Sequence, residues 1–270
     1  MEPIILVTGA TDGIGKATAR ELVRQGARVI IHGRSRAKAR EVQRELQELS
    51  DGEKPDILVA DFSDPDEVRG MAEEVVSTFP RLDVLINNAG TYQETRVLTD
   101  NGVEMTFAVN YLAPFLLSNL LLPLLRESAP SRIVTVASSA HEDVTRVDWE
   151  NLPAMPRYDP WEAYSLSKFA DIAFTYMLAD KLERSGVTAN CLHPGVVDTK
   201  ILRTAFPGMA GIATGEGART SVYLALSPEA AGVSGKYFEN MRPAESTALT
   251  HDKVVQERFW QIAEELTGLE

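Results

Sequence analysis

The sequence predicts a single α/β domain built on a doubly wound parallel sheet of about seven strands, with helices on both faces. Three observations predict it. Short apolar runs alternate with helical patterns along almost the whole chain. The runs are continuously apolar, as is typical of strands that are buried on both faces of a parallel sheet. No repeat, low-complexity segment or linker divides the chain, so we expect residues 1–270 to form one domain.

The predicted elements follow one another in strand–helix order. The run "PIILVTG" predicts a strand over 3–9, and Ile14, Thr18 and Leu22 then share one face of a helix over 14–25. The other strands are predicted over 27–33, 55–61, 82–90, 131–138, 186–195 and 235–239. The other helices are predicted over 35–50, 65–79, 99–126, 161–184, 216–227 and 252–267. Right-handed crossovers between these strands give the doubly wound order.

Two segments lack this periodicity. Residues 139–160 are polar and contain prolines, and residues 199–215 mix large apolar with small residues. Long irregular segments in a compact domain are usually lids or binding loops. Both follow predicted strands at the carboxyl edge of the sheet, where open α/β sheets bind their ligands. We therefore expect both to lie on the substrate side of a site.

Composition limits the partners and the compartment. The chain carries a formal net charge of -12, which argues against a nucleic-acid partner or an anionic membrane surface. Cys191 is the one cysteine, so no intrachain disulfide can form and an oxidising compartment is not indicated. The N-terminus has no basic segment typical of a signal peptide. The apolar tract 111–125 is shorter than the roughly 20 residues of a membrane span. These observations predict a cytoplasmic protein with no membrane span.

The stretch "LVTGATDGIG" places Gly9, Gly13 and Gly15 between the first strand and the first helix. Small residues there let a pyrophosphate approach the backbone, and the N–H groups of the helix terminus can bind its oxygens. The spacing differs from the common Gly-x-Gly-x-x-Gly fingerprint. The turn alone therefore leaves two interpretations open, a nucleotide site and a structural tight turn.

The end of the second predicted strand indicates which nucleotide would bind. NAD-binding sites place a carboxylate there, on the ribose 2′-OH. This chain instead has Arg34, whose planar guanidinium suits a 2′-phosphate. We therefore predict that NADP(H) is preferred over NAD(H). The neighbouring cations Arg36, Lys38 and Arg40 are interpreted as a solvated helix face.

Four polar residues further along could carry chemistry. Tyr164 and Lys168 are four apart and share a helix face, and a nearby ammonium favours the phenolate. Such a pair can pass a proton to or from a carbonyl or alcohol oxygen. Ser138, at the end of a strand, could hold that oxygen. Asn110 lies inside an apolar helix, where its amide either bends the helix through backbone hydrogen bonds or binds water beside the site.

Taken in order, these motifs resemble the short-chain dehydrogenase/reductase family over nearly the whole chain. The resemblance lies in "TGATDGIG", "NNAG" at 87–90, Asn110, "SRIVTVASS" at 131–139, "YSLSK" at 164–168 and "HPGVVDT" at 193–199. Within the family the chain is most similar to the retinol-dehydrogenase-like and WW-domain-oxidoreductase-like branch. The 26-residue step from Ser138 to Tyr164 and the tail "GKYFENMRPAES" carry that similarity.

The resemblance implies a role for each matching residue on a Rossmann fold. Tyr164 would be the acid/base, Lys168 would bind the nicotinamide ribose, Ser138 would orient the substrate, and Asn110 would hold a relay water. Asp61 would meet the adenine. Asn88, Ala89 and Gly90 would line the adenine ribose, and Asn88 would also brace the central sheet. The chain after the sixth strand would position the nicotinamide carboxamide through Pro194, Gly195, Val197 and Thr199. The full set of predicted cofactor-binding residues is Gly9, Thr11, Asp12, Gly13, Ile14, Gly15, Arg34, Asp61, Phe62, Asn88, Ala89, Gly90, Tyr164, Lys168, Pro194, Gly195, Val197 and Thr199.

The predicted function is NADP(H)-dependent hydride transfer between the nicotinamide and a carbonyl or alcohol. A lipophilic aldehyde, ketone, retinoid or steroid suits the apolar segment 199–215. Membrane-bound retinol dehydrogenases carry an N-terminal anchor that we do not expect here, which weakens retinol itself as the substrate but not the reaction class. One alternative is reduction of a ring or conjugated carbon–carbon double bond, which related reductases perform with the same Tyr-x-x-x-Lys pair. Another is an NADPH-binding redox sensor without turnover.

Other residues are given weaker or structural interpretations. The four histidines, His32, His141, His193 and His251, have no metal-ligand spacing, so we predict no metal site. Cys191 is interpreted as a small buried group. Trp149, Trp161 and Met209 could contact substrate, although aromatic residues and methionines more often serve only in packing. Relatives often pair through the helices predicted here over 99–126 and 161–184, which makes a homodimer or homotetramer an option.

Overall fold

The computed structural model describes residues 2–50 and 54–269, and its strands form one sheet. The strands are β1 (Ile4–Val7), β2 (Arg28–His32), β3 (Asp56–Leu58), β4 (Val84–Asn87), β5 (Ser131–Val136), β6 (Val187–His193), β7 (Tyr237–Glu239) and β8 (Arg242–Ala244). Their order is β3-β2-β1-β4-β5-β6-β7-β8. All neighbours pair in parallel except β7 and β8, which are antiparallel. The predicted doubly wound fold is confirmed.

Nine α-helices occur in the described part of the chain. They are α1 (Gly13–Arg24), α2 (Arg36–Gln47), α3 (Pro65–Thr78), α4 (Met105–Phe107), α5 (Ala113–Glu127), α6 (Pro160–Lys181), α7 (Lys200–Ala205), α8 (Thr214–Leu226) and α9 (Lys253–Thr267). A π-helical turn, Ala108–Leu112, joins α4 to α5. Side chains at the helix starts bind the free N–H groups, as Asp159 does for Trp161 and Glu162 at the start of α6.

The strand order fixes where a ligand can lie. The chain turns outward in one direction from β1 and in the other from β4, so these two neighbouring strands form the topological switch point of the sheet. Ligands of open α/β sheets bind in the crevice beyond the carboxyl ends of such strands. The glycine turn follows β1 and "NNAG" follows β4, so both predicted nucleotide motifs border this crevice.

Four features differ from the sequence prediction. The eighth strand contains Pro243, which is tolerated because β8 is the sheet edge and needs no ladder N–H on its open side. Helix α7 forms within 199–215, where Thr199 accepts from the N–H of Leu202 as the N-cap. The segment 139–160 contains two 3₁₀ turns, Ser139–Asp143 and Trp149–Asn151. The helix predicted over 99–126 begins at Met105 and contains the π-helical turn.

Helix α9 covers faces of α5 and α6. The phenol of Tyr111 donates to the carbonyl of Phe259 at 2.8 Å. The ring of Trp260 contacts Phe115 on α5 and Phe174 on α6, with centroid distances of 4.9 and 5.9 Å. Helix α9 therefore occupies part of the α5 and α6 surfaces through which relatives often pair.

The long apolar helix is largely a core element. By length and composition the stretch Met105–Glu127 could cross a membrane, but 72% of its most apolar window is buried inside the fold. Its residues Phe115, Leu117 and Leu121 have no exposed surface. Burial of this kind is typical of core helices, so the apolarity of the tract is explained by packing.

Candidate active site

The glycine turn has a shape that side chains would destroy. Gly9 and Gly13 have φ values of +64° and +53°, a region that glycine adopts without strain. A Cβ on Gly15 would lie 2.3 Å from Nδ2 of Asn88 and 2.4 Å from the carbonyl oxygen of Gly9. Asp12 caps α1 by accepting from the N–H of Gly13 at 2.8 Å. The turn is therefore built for close backbone approach at the start of a helix.

Asn88 ties the turn after β1 to the turn after β4. Its Nδ2 donates to the carbonyl of Thr8 at 2.7 Å, and its backbone N–H donates to Oγ1 of Thr8 at 2.9 Å. The same hydroxyl accepts from the N–H of Ala89 at 3.0 Å. A Cβ on Gly9 would lie 2.8 Å from Cα of Ala89. The two predicted nucleotide segments are thus in direct contact, and Asn88 braces them.

Arg34 lies at the edge of this crevice with its side chain exposed, and no hydrogen bond or ion pair joins its guanidinium to a described residue. Ser35, the next residue, is the N-cap of α2. On the other side, a Cβ on Gly33 would lie 2.5 Å from the Thr11 side chain. Thr11 therefore packs over the end of β2. Arg34, the residue after Gly33, lies at the N-terminus of α2, where the helix dipole favours an anion.

Asp61 and Phe62, which are predicted to lie on the adenine side, follow β3. Oδ1 of Asp61 accepts from both the N–H and the hydroxyl of Ser63, at 3.0 and 2.8 Å. The Phe62 ring is buried and stacks on His32 with centroids 4.2 Å apart. Phe62 can therefore face a nucleotide only through its backbone. Ser63 and His32 were not predicted to shape this side.

The chain leaving β6 faces the glycine turn. A Cβ on Gly13 would lie 3.6 Å from Cγ2 of Thr199, which places these two segments opposite each other. Gly195 has a φ of +91° beside Pro194. The side chain of Val197 is buried, and a Cβ on Gly217 would lie 2.5 Å from it. Val197 can therefore contact a nicotinamide only through its backbone.

Tyr164 and Lys168 lie on one face of α6 beside the end of β5. Nζ of Lys168 donates to the carbonyl of Val136 at 2.9 Å and to Oδ2 of Asp171 at 2.9 Å. Burial alone lowers the pKa of Lys168, but its electrostatic interactions with Asp171 and Tyr164 and its hydrogen bond to Asp171 outweigh burial, so the pKa lies above its ordinary value. Lys168 is therefore a charged ammonium at neutral pH.

Ser138 follows β5 two residues after Val136. Its Oγ accepts from the N–H of Ala140 at 3.1 Å, which leaves the hydroxyl hydrogen free to donate. The 3₁₀ turn Ser139–Asp143 that it starts packs against α6. The backbone N–H of Ser139 instead donates to Nδ1 of His193 at 3.1 Å. Ser138 and the Tyr164–Lys168 face thus lie at the same edge of the sheet.

The side chain of Asn110 bonds outside its own helix. Oδ1 accepts from the N–H of Thr91 at 2.7 Å, and Nδ2 donates to the carbonyl of Thr91 at 3.1 Å and to Oγ of Ser167 at 3.0 Å. Both amide hydrogens are used, so a relay water could bind this side chain only by donating to Oδ1. Asn110 sits in the π-helical turn, a feature that concentrates at functional sites.

Aromatic rings surround Tyr164. Tyr92 contacts it edge-on at 5.9 Å, and Trp161 stacks on it at 5.7 Å. Trp161 also contacts Phe206 at 5.0 Å and donates its indole N–H to Oδ2 of Asp143 at 2.8 Å. These rings therefore join α6 to the two irregular segments, 139–160 and 199–215, that are expected on the substrate side. Trp149 instead packs on Phe259 at 4.9 Å, and Met209 is 50% exposed.

The residues present fit a dinucleotide. A Cβ would fill the cradle at Gly9 and Gly15, helix α1 starts at the turn, and the buried Lys168 ammonium lies at the end of β5. In the described part of the chain no three His, Cys, Asp or Glu side chains form a metal-binding group. Cys191 is fully buried in β6, and burial raises the pKa of its thiol.

Comparison with known proteins decides the family. Residues 3–210 match the family model described as short chain dehydrogenase. The chain belongs to the short-chain dehydrogenase family. This short-chain dehydrogenase is accordingly an oxidoreductase of a family that uses a nicotinamide cofactor.

Relatives of this short-chain dehydrogenase confirm the retinol-dehydrogenase-like branch. Retinol dehydrogenase 14 of Mus musculus is 42% identical, with 98% of this chain and 86% of the relative covered. Polyprenol dehydrogenase of Homo sapiens is 37% identical, with 98% and 85% covered. A crystal structure of a Mycobacterium paratuberculosis protein has a TM-score of 0.82 at 32% identity, covering 99% of this chain and 94% of its own. An Escherichia coli CFT073 short chain dehydrogenase complexed with NADPH has a TM-score of 0.73 at 28% identity, covering 87% and 95%.

Proposed function

We propose that this short-chain dehydrogenase is an NADP(H)-dependent enzyme that interconverts a lipophilic alcohol and its carbonyl compound. The observation that carries the proposal is the bond from Lys168 to the carbonyl of Val136. It fixes the Tyr164–Lys168 face of α6 to the end of β5, two residues before Ser138. A phenol, an ammonium and a hydroxyl are thereby gathered at the edge of the sheet where the nucleotide motifs also lie.

NADP(H) is proposed as the preferred cofactor because of Arg34. Its guanidinium is exposed beside the N-terminus of α2, and the sequence His32-Gly33-Arg34-Ser35 offers no carboxylate for a ribose 2′-OH. The related Escherichia coli protein was crystallised with NADPH, which supports the same preference. Gly9, Gly13 and the N-terminus of α1 would hold the pyrophosphate.

The bound nicotinamide supplies or accepts the hydride. The chain's own residues handle the proton. In reduction, Tyr164 donates its phenolic proton to the substrate oxygen as negative charge develops there, and in oxidation its phenolate removes the hydroxyl proton. Lys168 stabilises the phenolate by charge, and Ser138 donates a hydrogen bond to the substrate oxygen. Asn110 holds Thr91 beside α6 and would bind water through Oδ1.

A lipophilic substrate is proposed because the entrance to this site is apolar. Val196, Phe206, Met209 and Ile212 expose between 36% and 50% of their surface around α7. Trp161 and Tyr92 line the approach to Tyr164. The similarity to retinol and polyprenol dehydrogenases supports an unsaturated, water-insoluble alcohol or its aldehyde. We further propose a cytoplasmic protein, given its single cysteine and its acidic charge.

The proposal is tested by a screen of aldehydes, ketones, retinoids, steroids and enones with NADPH. Tyr164→Phe should abolish turnover and leave NADPH binding within about twofold, because only the proton donor is lost. Arg34→Ala should lower the ratio of kcat/KM for NADPH over NADH at least about tenfold, whereas Arg40→Ala should not. Turnover by Tyr164→Phe would refute the role of the phenol. Saturated-ketone products from enones would favour double-bond reduction instead.

A further inference from the structure

Lys168 has a charged partner that the proposed mechanism does not use. Oδ2 of Asp171 accepts from Nζ of Lys168 at 2.9 Å, and the two side chains are 1% and 6% exposed. Both residues lie on α6, three positions apart. Water therefore cannot solvate either charged group. If one charge were lost, the other would stay buried without an opposite charge.

The Asp171 carboxylate is bound on one side only. Its Oδ1 is fully buried and has no hydrogen-bond partner in the described part of the chain. Burial raises the pKa of Asp171 to about 6, although Lys168 acts in the opposite direction. A buried ion pair that served stability alone would be expected to have its remaining lone pairs satisfied. The open oxygen suggests that the carboxylate serves Lys168.

Other ionisable groups near Asp171 stay neutral in the same pH range. Tyr111 of the π-helical turn and Cys191 of β6 both approach the carboxylate. Burial raises the pKa of each well above its ordinary value. Glu264 of α9 also raises the pKa of Tyr111. Tyr164, on the same helix as Lys168, raises the pKa of Lys168. Lys168 is thus the one opposite charge that Asp171 meets among these neighbours.

We propose that Asp171 is a positioning residue whose carboxylate keeps the Lys168 ammonium charged and fixes the direction of its N–H groups. An ammonium has three N–H donors. Those directed to Asp171 and to the carbonyl of Val136 leave the third for the nicotinamide ribose. This inference rests on the proposed function for its catalytic consequence, but the ion pair itself can be tested separately.

The proposal makes the site sensitive to pH in a defined direction. Above about pH 6 the Asp171 carboxylate is charged and Lys168 is paired. As the pH falls through this value the carboxyl takes up a proton, and the buried ammonium loses its opposite charge. Asp171→Asn has nearly the same shape without the charge, so it should reproduce the low-pH state wherever Lys168 keeps its proton.

The first experiment measures the NADPH dissociation constant and kcat/KM from about pH 5 to about pH 8.5. At low pH, wild type and Asp171→Asn should agree within about twofold, and at high pH the variant should be at least about tenfold weaker in kcat/KM. Asp180→Asn is the matched control, since Asp180 is an exposed acid of the same helix paired with Lys253. It should follow wild type throughout. If Asp171→Asn showed the same dependence of kcat/KM on pH as wild type, the proposal would be overturned.

A second experiment needs no turnover. Protein labelled with [13Cε]lysine reports the titration of each ammonium, and the Lys168 signal is identified by its loss in Lys168→Met. In Asp171→Asn this signal should titrate at a lower pH than in wild type, and equal titration would refute the ion pair. Absence of activity in the wild type with a shifted Lys168 signal would count against the proposed function alone. If Asp171→Asn does not fold, the Lys168 signal of the wild type must still shift near pH 6 as the partner carboxyl takes up its proton, and a signal that does not respond there would overturn the inference.

Discussion

Nδ1 of His32 accepts the backbone N–H of Gly9 at 3.3 Å, so a buried imidazole at the end of β2 supports the glycine turn after β1. The other ring nitrogen, Nε2, lies 3.0 Å from the carbonyl oxygen of Ala60. One nitrogen must accept and the other must donate, which requires the neutral imidazole with its hydrogen on Nε2. His32 therefore links the ends of three neighbouring strands around the nucleotide crevice.

The protonation of His32 should destabilise the fold at acid pH. Burial lowers its pKa from 6.5 to about 4 in the folded protein. Between these values the unfolded chain binds more protons than the folded one, so the free energy of unfolding falls as the pH falls. We expect a loss of about 2 kcal/mol between about pH 8 and about pH 5 from this residue. Urea unfolding of His32→Gln should lack this loss, while His251→Gln, at an exposed position, should retain it.

Gly15→Ala should damage the nucleotide turn. The added methyl would meet Asn88 and the carbonyl of Gly9 at distances that no rotamer change of its own can relieve. We expect a loss of about 2 kcal/mol or more in unfolding free energy and at least about tenfold in NADPH affinity. Gly70→Ala is the control, because Gly70 lies inside α3 with open space around it. That variant should gain about 0.5–1 kcal/mol.

Asn110→Leu should release the segment after β4. The substitution removes all three bonds from the amide to Thr91 and Ser167 and leaves the Thr91 backbone groups without these partners. The expected cost is about 2–4 kcal/mol. Hydrogen exchange of the Thr91 amide should accelerate by at least about tenfold relative to the global change. Unchanged protection of that amide would show that the segment is fixed by other contacts.

Trp161→Phe should separate substrate positioning from chemistry. The variant keeps an aromatic ring between Tyr164 and Phe206 but loses the indole bond to Asp143 that joins α6 to the segment 139–160. We expect KM for a lipophilic substrate to rise about three- to tenfold with kcat within about twofold. Trp149→Phe provides the comparison, since Trp149 packs on Phe259. It should lower the melting temperature and leave KM unchanged.

The covering of α5 and α6 by α9 leads to a prediction about assembly. Pairing through the faces of these helices that α9 covers would have to displace Phe259 and Trp260 from contacts with Tyr111, Phe115 and Phe174. We expect light scattering to give the mass of one 29.6 kDa chain at micromolar concentration. A dimer would contradict this unless cross-linking placed its interface away from these helices.

The sequence predicted the sheet because both faces of the central strands are buried. Ile5, Leu6, Ile30 and Ile31 have no exposed surface, which is why their runs are continuously apolar. The antiparallel β8 was not predicted, since a proline argues against a strand except at a sheet edge, and edge position is a property of the assembled sheet.

Residues that act through tertiary contacts escaped prediction. The π-helical turn has an ordinary apolar helical pattern, and the partners of Asn110 are 19 and 57 residues away. His32 was set aside because it lacked metal-ligand spacing, although its position between the glycine turn and β3 gives it a different role. Asp171 carries one sequence signal, its place three residues after Lys168 on the same helix face. Only the burial of both residues distinguishes it from a solvated acid.

The contact between Tyr111 and Phe259 joins positions 148 residues apart. During translation, α5 and α6 therefore leave the ribosome long before the aromatic residues that shield them. Throughout that interval the nascent chain lacks the cover that α9 gives to Tyr111, Phe115 and Phe174, and collisions with other unfinished chains then favour aggregation. Production of this enzyme should accordingly depend on chaperones that bind apolar segments during synthesis, and slower translation at low temperature should raise its soluble yield.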